Sequence, residues 1–128
     1  MNPLYQDIAA AFVQSYYLHF DDNEKRSTMA SFYDEETSLM SFEGQNLLGR
    51  SKIMEKLNCL TFQKIAHSIT KVDCQPMFDG GVLVCVLGQL KTDDDPPHTF
   101  SQTFVLKPYN EGFYVQHDVF RIAVHDAA

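Results

Sequence analysis

The stretch VLVCVL, Val82 to Leu87, decides the fold, because it contains no polar residue to place on a solvated face. Asp79-Gly80-Gly81 precedes it as a turn, which predicts a strand of an antiparallel sheet running on to Leu90. One face of this strand can pack on helices, but the other face must be covered as well. A loop or a second subunit could cover it. Too little chain remains to supply a loop, so we expect a homodimer.

The run that precedes this strand indicates a sharp bend in its neighbour. Up to Ile69 the inward residues alternate on one face, whereas Val72 and Cys74 continue with the opposite parity. A change of parity inside one extended run is what a β-bulge produces. We therefore expect a bulge near Thr70-Lys71.

Four further runs have the composition of strands and are separated by turn residues. Glu43-Gly44 and Asn110-Glu111-Gly112 supply two of the turns. The predicted strands are Thr37 to Phe42, Gln45 to Leu48, Phe100 to Leu106 and Phe113 to Val124.

Helical spacing dominates the N-terminal part of the chain. Apolar residues recur every four positions from Leu4 to Phe20, after a cap at Asn2-Pro3 and before Asp21-Asp22-Asn23. A shorter helical stretch starts at Ser27, and a third helix follows with Ser51 as its cap. The apolar face of the third helix consists of Ile53, Met54, Leu57 and Leu60.

Helices that come early and long strands that come late, joined by tight turns, are typical of the α+β class. We therefore expect helices packed on a strongly curved antiparallel sheet. At 128 residues, the chain fits one domain over residues 1–128.

Composition restricts the possible partners. Ten Lys and Arg against seventeen Asp and Glu give a formal charge of −7, which argues against nucleic acid and anionic membranes and favours a basic partner. Cys59, Cys74 and Cys85 form no C-x-x-C pair, so we expect three buried thiols in a reducing compartment. No basic segment followed by an apolar stretch opens the chain, so we expect an intracellular protein without membrane insertion.

Two motifs resemble ligand sites, but their details favour turns. Gly44 to Ser51 approaches G-x-x-x-x-G-K-[ST], yet Arg50 stands where the phosphate-binding lysine is needed. Thr92 to Pro97 places three carboxylates between strands without the ligand order of a calcium loop. That segment is either a solvated acidic turn or a recognition patch. The five histidines lack metal-ligand spacing, so we expect neither a metal nor a cofactor.

Two titratable residues fall within predicted strands. His67 lies on an apolar face, where a hydrogen-bonded core histidine is the commoner outcome. Asp118 stands beside Phe120, where a carboxylate is costly unless it is paired. It is a pocket acid, or a partner of Arg121 or of a neighbouring amide. No Ser or Cys lies in a nucleophile motif, and we expect no catalytic residue.

Several segments together resemble the nuclear transport factor 2 family nearly from end to end. They are FVQSYYLHFD (12–21), FEGQ (42–45), LTFQKIAHSIT (60–70), GQLKTDDDP (88–96), FSQTF (100–104) and DVFR (118–121). The resemblance implies helices closing over a bent sheet around a hydrophobic pocket, with two subunits paired through their sheets. It also implies a non-enzymatic carrier of Ran in its GDP form. Such a carrier binds FxFG-repeat nucleoporins and moves between cytoplasm and nucleus, concentrated at the nuclear envelope and its pores.

The resemblance also implies residue roles. In the family, the pocket accepts an aromatic side chain from switch II of Ran-GDP, and acids on the rim pair with flanking basic residues. The expected rim acids are Glu43, Asp93 and Asp95. The expected pocket residues are Phe42, Leu60, Phe62, Ile65, Leu90 and Phe120, with His67 nearby. For FxFG repeats the expected residue is Tyr5, where the family more often has Trp; Phe42 likewise replaces a Trp.

Two alternatives remain from the residues. The same fold, by resemblance, occurs in ketosteroid isomerases and scytalone dehydratases, and Asp118, His67 and Tyr16 could supply a catalytic set. An enzyme requires carboxylates deep in its pocket, whereas the expected recognition acids belong to turns at a rim. A scaffold that binds a different protein is the second alternative.

Overall fold

A computed structural model describes residues 1–60 and 62–123, in which three helices and two short strands are followed by four long strands. The predicted strand end at Val124 lies outside the described residues. The elements are α1 (Tyr5–Asp21), a 3-10 helix (Arg26–Phe32), β1 (Leu39–Phe42), β2 (Gln45–Leu48), α2 (Arg50–Asn58), β3 (Ile65–Pro76), β4 (Val82–Thr92), β5 (His98–Tyr109) and β6 (Gly112–Ile122).

The strands form one six-stranded sheet in the order β2-β1-β6-β5-β4-β3. Four of the strand pairs are antiparallel, as expected, but β1 runs parallel to β6, with Leu39 opposite His117 and Phe42 opposite Phe120. The predicted antiparallel sheet is therefore confirmed for four of its strand pairs and differs at this one. Local pattern carries no information about a partner strand so far away in the sequence.

The predicted bulge is present in β3, where the register with β4 shifts between Ile69 and Lys71. The shift keeps Ile69 and Val72 on the side facing α1, where both line a shallow groove beside the helix. Gly88 lies opposite Ile69, and a Cβ at Gly88 would approach the carbonyl oxygen of Ser68 to 2.5 Å. A glycine is therefore required where the two strands bend together.

The core lies between the helices and the inner face of the sheet. The rings of Phe12 and Tyr16 on α1 each stand 4.8 Å from the ring of Phe104 on β5. Burial of these aromatic faces accounts for the amphipathic spacing of α1. The core side chains of β4 are Val82, Val84, Val86 and Leu90.

The outer face of the sheet remains open in this chain. Leu83 and Cys85 of β4 are half-buried, while Leu87 and Val119 are 45% and 46% exposed. The prediction that one face of the apolar strand packs on the core is therefore confirmed. Since these outward side chains are still exposed, the cover expected for the other face is not supplied by the described residues.

Two helix starts differ from the predictions. α1 begins at Tyr5 rather than directly after Asn2, whose side-chain Oδ1 accepts a hydrogen bond from the Leu4 amide at 2.9 Å. α2 begins at Arg50, so Ser51 is not its cap. The residue before the helix is Gly49 with φ +89°, and a Cβ there would lie 2.9 Å from the Glu35 carbonyl oxygen.

The cysteine prediction is partly wrong. All three thiols are free, but Cys59 is exposed and Cys74 and Cys85 are only half-buried. Because α2 ends at Asn58, Cys59 occupies the C-cap position, and its amide donates to the carbonyl oxygens of the last turn. Its place is fixed by backbone geometry and not by burial of the side chain.

Candidate functional site

A cavity of about 310 Å³ opens between the helices and the inner face of the sheet. Its wall is mostly apolar and draws on α1, α2, the segment that follows α2, and five strands. The lining residues are Tyr16, Phe20, Met40, Phe42, Leu57, Leu60, Phe62, Ile65, His67, Leu90, Thr92, Asp95, His98, Gln102, Phe120 and Ile122.

The structure brings together most of the residues predicted for the site. Of these, Phe42, Leu60, Phe62, Ile65, His67, Leu90, Asp95 and Phe120 line the cavity. Glu43 and Asp93 lie outside its lining, in the turns after β1 and β4. Leu60 also differs from the expectation in lying beyond the end of α2, on the segment that closes one side of the opening.

Strand parity could have found several lining residues that the sequence analysis missed. Gln102 stands between Phe100 and Phe104, with the same inward parity. Ile122 follows Phe120 in the same way. Tyr16 and Phe20 lie on the apolar stripe of α1, where sequence alone cannot distinguish a core side chain from a cavity wall.

Aromatic stacking forms one wall of the cavity. The parallel pairing of β1 with β6 places Phe42 directly opposite Phe120, and their rings stack with centroids 4.9 Å apart. The ammonium group of Lys56 lies 5.2 Å from the centroid of the Phe42 ring. The wall therefore offers a flat apolar surface to an incoming ring.

The segment after α2 is fixed from two directions. The Arg26 guanidinium lies 5.2 Å from the Phe62 ring, and the Asn23 side chain donates to the carbonyl oxygen of Gln63 at 2.7 Å. From the other side, Asp93 Oδ1 accepts from the amides of Gln63 and Lys64 at 3.0 and 2.9 Å. Asp93 therefore holds the segment that carries Phe62 in place.

The acids around the opening are exposed and occupy turns. Glu43 and Asp93 have positive φ angles of 51° and 45°, and Glu43 accepts a hydrogen bond from the Ile122 amide. Asp95 is itself one of the residues that line the cavity. Within residues 1–60 and 62–123 the one acid–base contact within 4 Å joins His67 to Asp21, so no described cation lies within 4 Å of these three carboxylates. The Lys91 ammonium lies in the same turn, but it donates to the backbone oxygens of Asp93 and Asp95 at 2.9 and 3.2 Å.

His67 is a hydrogen-bonded histidine of the cavity wall. Its Nδ1 faces Asp21 Oδ1, and its backbone amide donates to Asp21 Oδ2 at 2.9 Å. The ring, only 3% exposed, packs 4.7 Å from the Tyr17 ring and 5.3 Å from the Phe100 ring. The carboxylate fixes the ring orientation, which leaves Nε2 as the remaining polar atom of the side chain.

Asp118 is fully buried behind the cavity and does not line it. Its carboxylate accepts from Gln102 Nε2 at 2.8 Å and from the hydroxyls of Tyr33 and Tyr16 at 2.9 and 3.2 Å. Burial raises its pKa to about 6, and these hydrogen bonds oppose that rise. A neighbouring amide is therefore its partner, as one alternative predicted, whereas the Arg121 guanidinium lies beside Gly44.

Neither a metal site nor a membrane-spanning helix is found in the part of the chain that the structure describes. No group of three or more His, Cys, Asp or Glu side chains there could hold a metal ion. None of the helices in that part is long and apolar enough to cross a membrane.

Comparison with known proteins places the chain in a family. The nuclear transport factor 2 domain model matches residues 8–122. A Caenorhabditis elegans protein described as a probable nuclear transport factor 2 is 45% identical over 129 residues, covering 98% of this chain and 97% of the relative. Nuclear transport factor 2 of Oryza sativa subsp. japonica is 46% identical over 117 residues, covering 90% and 93%.

A solved structure supports the same conclusion. Nuclear transport factor 2 from Cryptosporidium parvum superposes with a TM-score of 0.90 at 37% identity, covering 96% of this chain and 98% of that one. The sheet and cavity thus define a protein of the nuclear transport factor 2-like α+β fold. The chain belongs to the nuclear transport factor 2 family. The predicted fold class and the predicted role, a nuclear transport factor rather than an enzyme, are confirmed, and the protein shuttles between nucleus and cytoplasm.

Proposed function

We propose that the cavity of this chain receives an aromatic side chain from switch II of Ran-GDP, and that the acids around its opening pair with neighbouring basic residues of Ran. The observation that supports this proposal is an apolar cavity beside exposed acids whose carboxylates have no described cation within 4 Å. The proposed contact residues are Phe42, Glu43, Leu60, Phe62, Ile65, His67, Leu90, Asp93, Asp95 and Phe120.

The cavity has the dimensions for such an occupant. A cavity of about 150 Å³ accommodates one benzene ring. The cavity of this chain, at about 310 Å³, can therefore accommodate a phenyl or larger ring together with part of the backbone that carries it. Burial of one aromatic side chain contributes about 1.5–3 kcal/mol. Because this energy depends on how switch II is shaped, affinity should follow the nucleotide state of Ran.

The experiment is a calorimetric titration of the protein with Ran loaded with GDP or with a non-hydrolysable GTP analogue. We expect binding with GDP and none with the analogue. A Phe62→Ala variant removes wall surface and should weaken binding, whereas Tyr109→Ala, an exposed aromatic outside the cavity, should not. Equal affinity for both nucleotide states would contradict the proposal.

We also propose that two copies pair through the outer face of the sheet. The side chains that support this pairing are those of Leu83, Cys85, Leu87, Val105 and Val119, which cross the centre of that face. Sedimentation at micromolar concentration should give a dimer, and Val119→Glu should give monomer, since a charge would be desolvated at the contact. Lys25→Glu, at the exposed N-cap of the 3-10 helix and away from the sheet face, is the control. A wild-type monomer would contradict the pairing.

The remaining proposal concerns passage through the nuclear pore. Tyr5, half-buried at the first turn of α1, is the proposed contact for the FxFG repeats of nucleoporins. A single Phe gives weak binding, and two sites in a dimer raise the effective concentration of the second contact. Retention at the nuclear envelope with rapid release follows from this arrangement.

A further inference from the structure

Three buried oxygens behind the cavity form a triangle. The Tyr16 and Tyr33 hydroxyls lie 2.8 Å apart, Tyr33 lies 2.9 Å from Asp118 Oδ2, and Tyr16 lies 3.2 Å from the same oxygen. Each contact is within hydrogen-bond distance. Two hydroxyl groups carry only two protons, so with an ionised carboxylate one of the three contacts has no proton between its oxygens.

The other carboxylate oxygen is already satisfied. Asp118 Oδ1 accepts from Gln102 Nε2 at 2.8 Å, and Gln102 Oε1 in turn accepts from the Tyr17 hydroxyl at 2.6 Å. The amide is therefore fixed in one orientation and donates to Oδ1. A third proton placed on Oδ2 would give each contact of the triangle one proton.

The surroundings of Asp118 contain no compensating cation among the described residues. α1 contributes Tyr16 and Tyr17, the chain after the 3-10 helix contributes Tyr33, and β5 contributes Gln102, all of them uncharged. The strand positions opposite Asp118 are apolar, Met40 on β1 and Phe104 on β5.

The titratable groups on the neighbouring elements contact other atoms and not the triangle. The His67–Asp21 pair lies beyond the Tyr17 ring, and Arg50 donates to the backbone oxygen of Tyr33 at 2.9 Å rather than to the triangle. A buried carboxylate without a cation favours its neutral form.

We propose that Tyr16, Tyr33 and Asp118 form a binding site for a single proton, which completes the ring of three hydrogen bonds and stabilises the folded protein. The shift in the pKa of Asp118 agrees with this proposal, since burial raises that pKa from 3.8 to about 6. The stabilisation is fully present below pH 3.8 and is lost as the pH rises through about 6. Since Tyr16 and Gln102 also line the cavity, the proton sets the hydrogen bonding of two wall residues.

The first test measures the unfolding equilibrium constant between pH 4 and 7.5 for wild type and Asp118→Asn. The asparagine amide supplies a donor toward the two hydroxyls and an acceptor for Gln102, so it mimics the protonated acid. The ratio of the two constants should change by about 60-fold across this range, because the pKa of Asp118 is about 6 in the folded protein and 3.8 in the unfolded chain. At pH 7.5 the variant should be at least as stable as wild type. Asp94→Asn, at an exposed acid, should keep the wild-type profile.

The second test observes the proton directly in the unmodified protein. The carbon-13 signal of the Asp118 carboxyl should titrate with a midpoint near pH 6, and Tyr33→Phe should raise that midpoint, because it removes a donor to the anion. Parallel unfolding profiles for wild type and Asp118→Asn would overturn the proposal, as would a carboxyl midpoint below about pH 5. Neither test involves Ran, so the outcome is independent of the proposed cargo site.

Discussion

The acids at the opening of the cavity and the acid behind it belong to the same site but differ in solvation. Glu43 and Asp95 lie in exposed turns, and no described cation lies within 4 Å of their carboxylates, whereas Asp118 is fully buried among two hydroxyls and an amide. A solvated carboxylate adds little to the free-energy cost of folding, and it can contribute to binding when a basic partner displaces its water. A buried carboxylate makes its hydrogen bonds inside the fold. Availability to a partner therefore follows solvation, not distance from the cavity.

The comparison separates two measurable quantities. Changes at the opening should alter affinity for Ran-GDP and leave the free energy of unfolding nearly constant. Changes around Asp118 should alter the free energy of unfolding and leave the affinity for Ran-GDP nearly constant. Any variant that shifts both quantities together would weaken this separation.

The largest expected effect is that of Glu43→Lys, which replaces an attractive charge by a repulsive one. We expect a loss of about 2–5 kcal/mol in Ran-GDP affinity, measured by calorimetry. Glu43→Gln is the matched control, because its amide oxygen can still accept from the Ile122 amide; it should lose less than half as much. Unchanged affinity of a folded Glu43→Lys protein would remove Glu43 from the proposed contact.

Behind the cavity, Tyr33→Phe removes one hydroxyl from the Asp118 carboxylate. The free energy of unfolding at pH 7.5 should fall by about 1.5–3 kcal/mol, since the lost hydrogen bond is to a charged group. The loss should shrink at pH 5, where more of the Asp118 carboxyl is neutral. Urea denaturation at both pH values measures this. Ran-GDP affinity should stay at the wild-type value, and a parallel loss of affinity would break the comparison.

A smaller effect is expected when Asp93 and Asp95 are both changed to asparagine. Two exposed charge pairs contribute about 1–2 kcal/mol together, so Ran-GDP affinity should fall by that amount in a calorimetric titration. The loss should be larger at low salt, where the wild-type pairs are less screened. The new amide oxygen at position 93 can still accept from Gln63 and Lys64, so the segment after α2 should stay in place. Asp94→Asn in the same turn is the control, and an equal loss there would indicate a general field effect rather than specific pairs.

The smallest effect concerns Tyr5, which lies outside both groups of acids. Tyr5→Ala should weaken the binding of an FxFG peptide by less than about 1.5 kcal/mol. An NMR titration would detect the loss as smaller chemical-shift changes. Ran-GDP binding should not change. Intact peptide shifts would exclude Tyr5 from the contact, and a joint loss of both activities would indicate damage to α1.

The local alternation of apolar residues in the sequence was sufficient to predict the long strands and the bend in β3. The parity change around Thr70 placed the bulge correctly, because alternation reports which face each side chain occupies. The apolar run from Val82 to Leu87 likewise identified a strand whose outer face needs a cover. Resemblance supplied the cavity residues, which no single motif would have indicated.

Other features depend on contacts between distant parts of the chain. The hydrogen bonds from Gln63 and Lys64 to Asp93 join segments about 30 residues apart. The sequence around Asp93 therefore does not predict that its carboxylate holds the segment after α2. Tyr33 meets Asp118 across 85 positions of sequence, when the chain after the 3-10 helix packs on the sheet, whereas Gln102 meets it through the pairing of β5 with β6. Cys59 was assigned to the core by residue type, although the end of α2 at Asn58 leaves it exposed.

The parallel pair of β1 and β6 has a consequence for synthesis on the ribosome. Leu39 pairs with His117, 78 positions later, and at about 5–20 residues per second that interval lasts about 4–16 s. Until then β1 and β2 form a hairpin without a neighbour, and two-stranded hairpins alone are marginally stable. We therefore expect β1 to lack its second neighbour for most of the time that the chain is being synthesised. Loss of β6 would leave the hairpin of β1 and β2 without a neighbouring strand in the sheet.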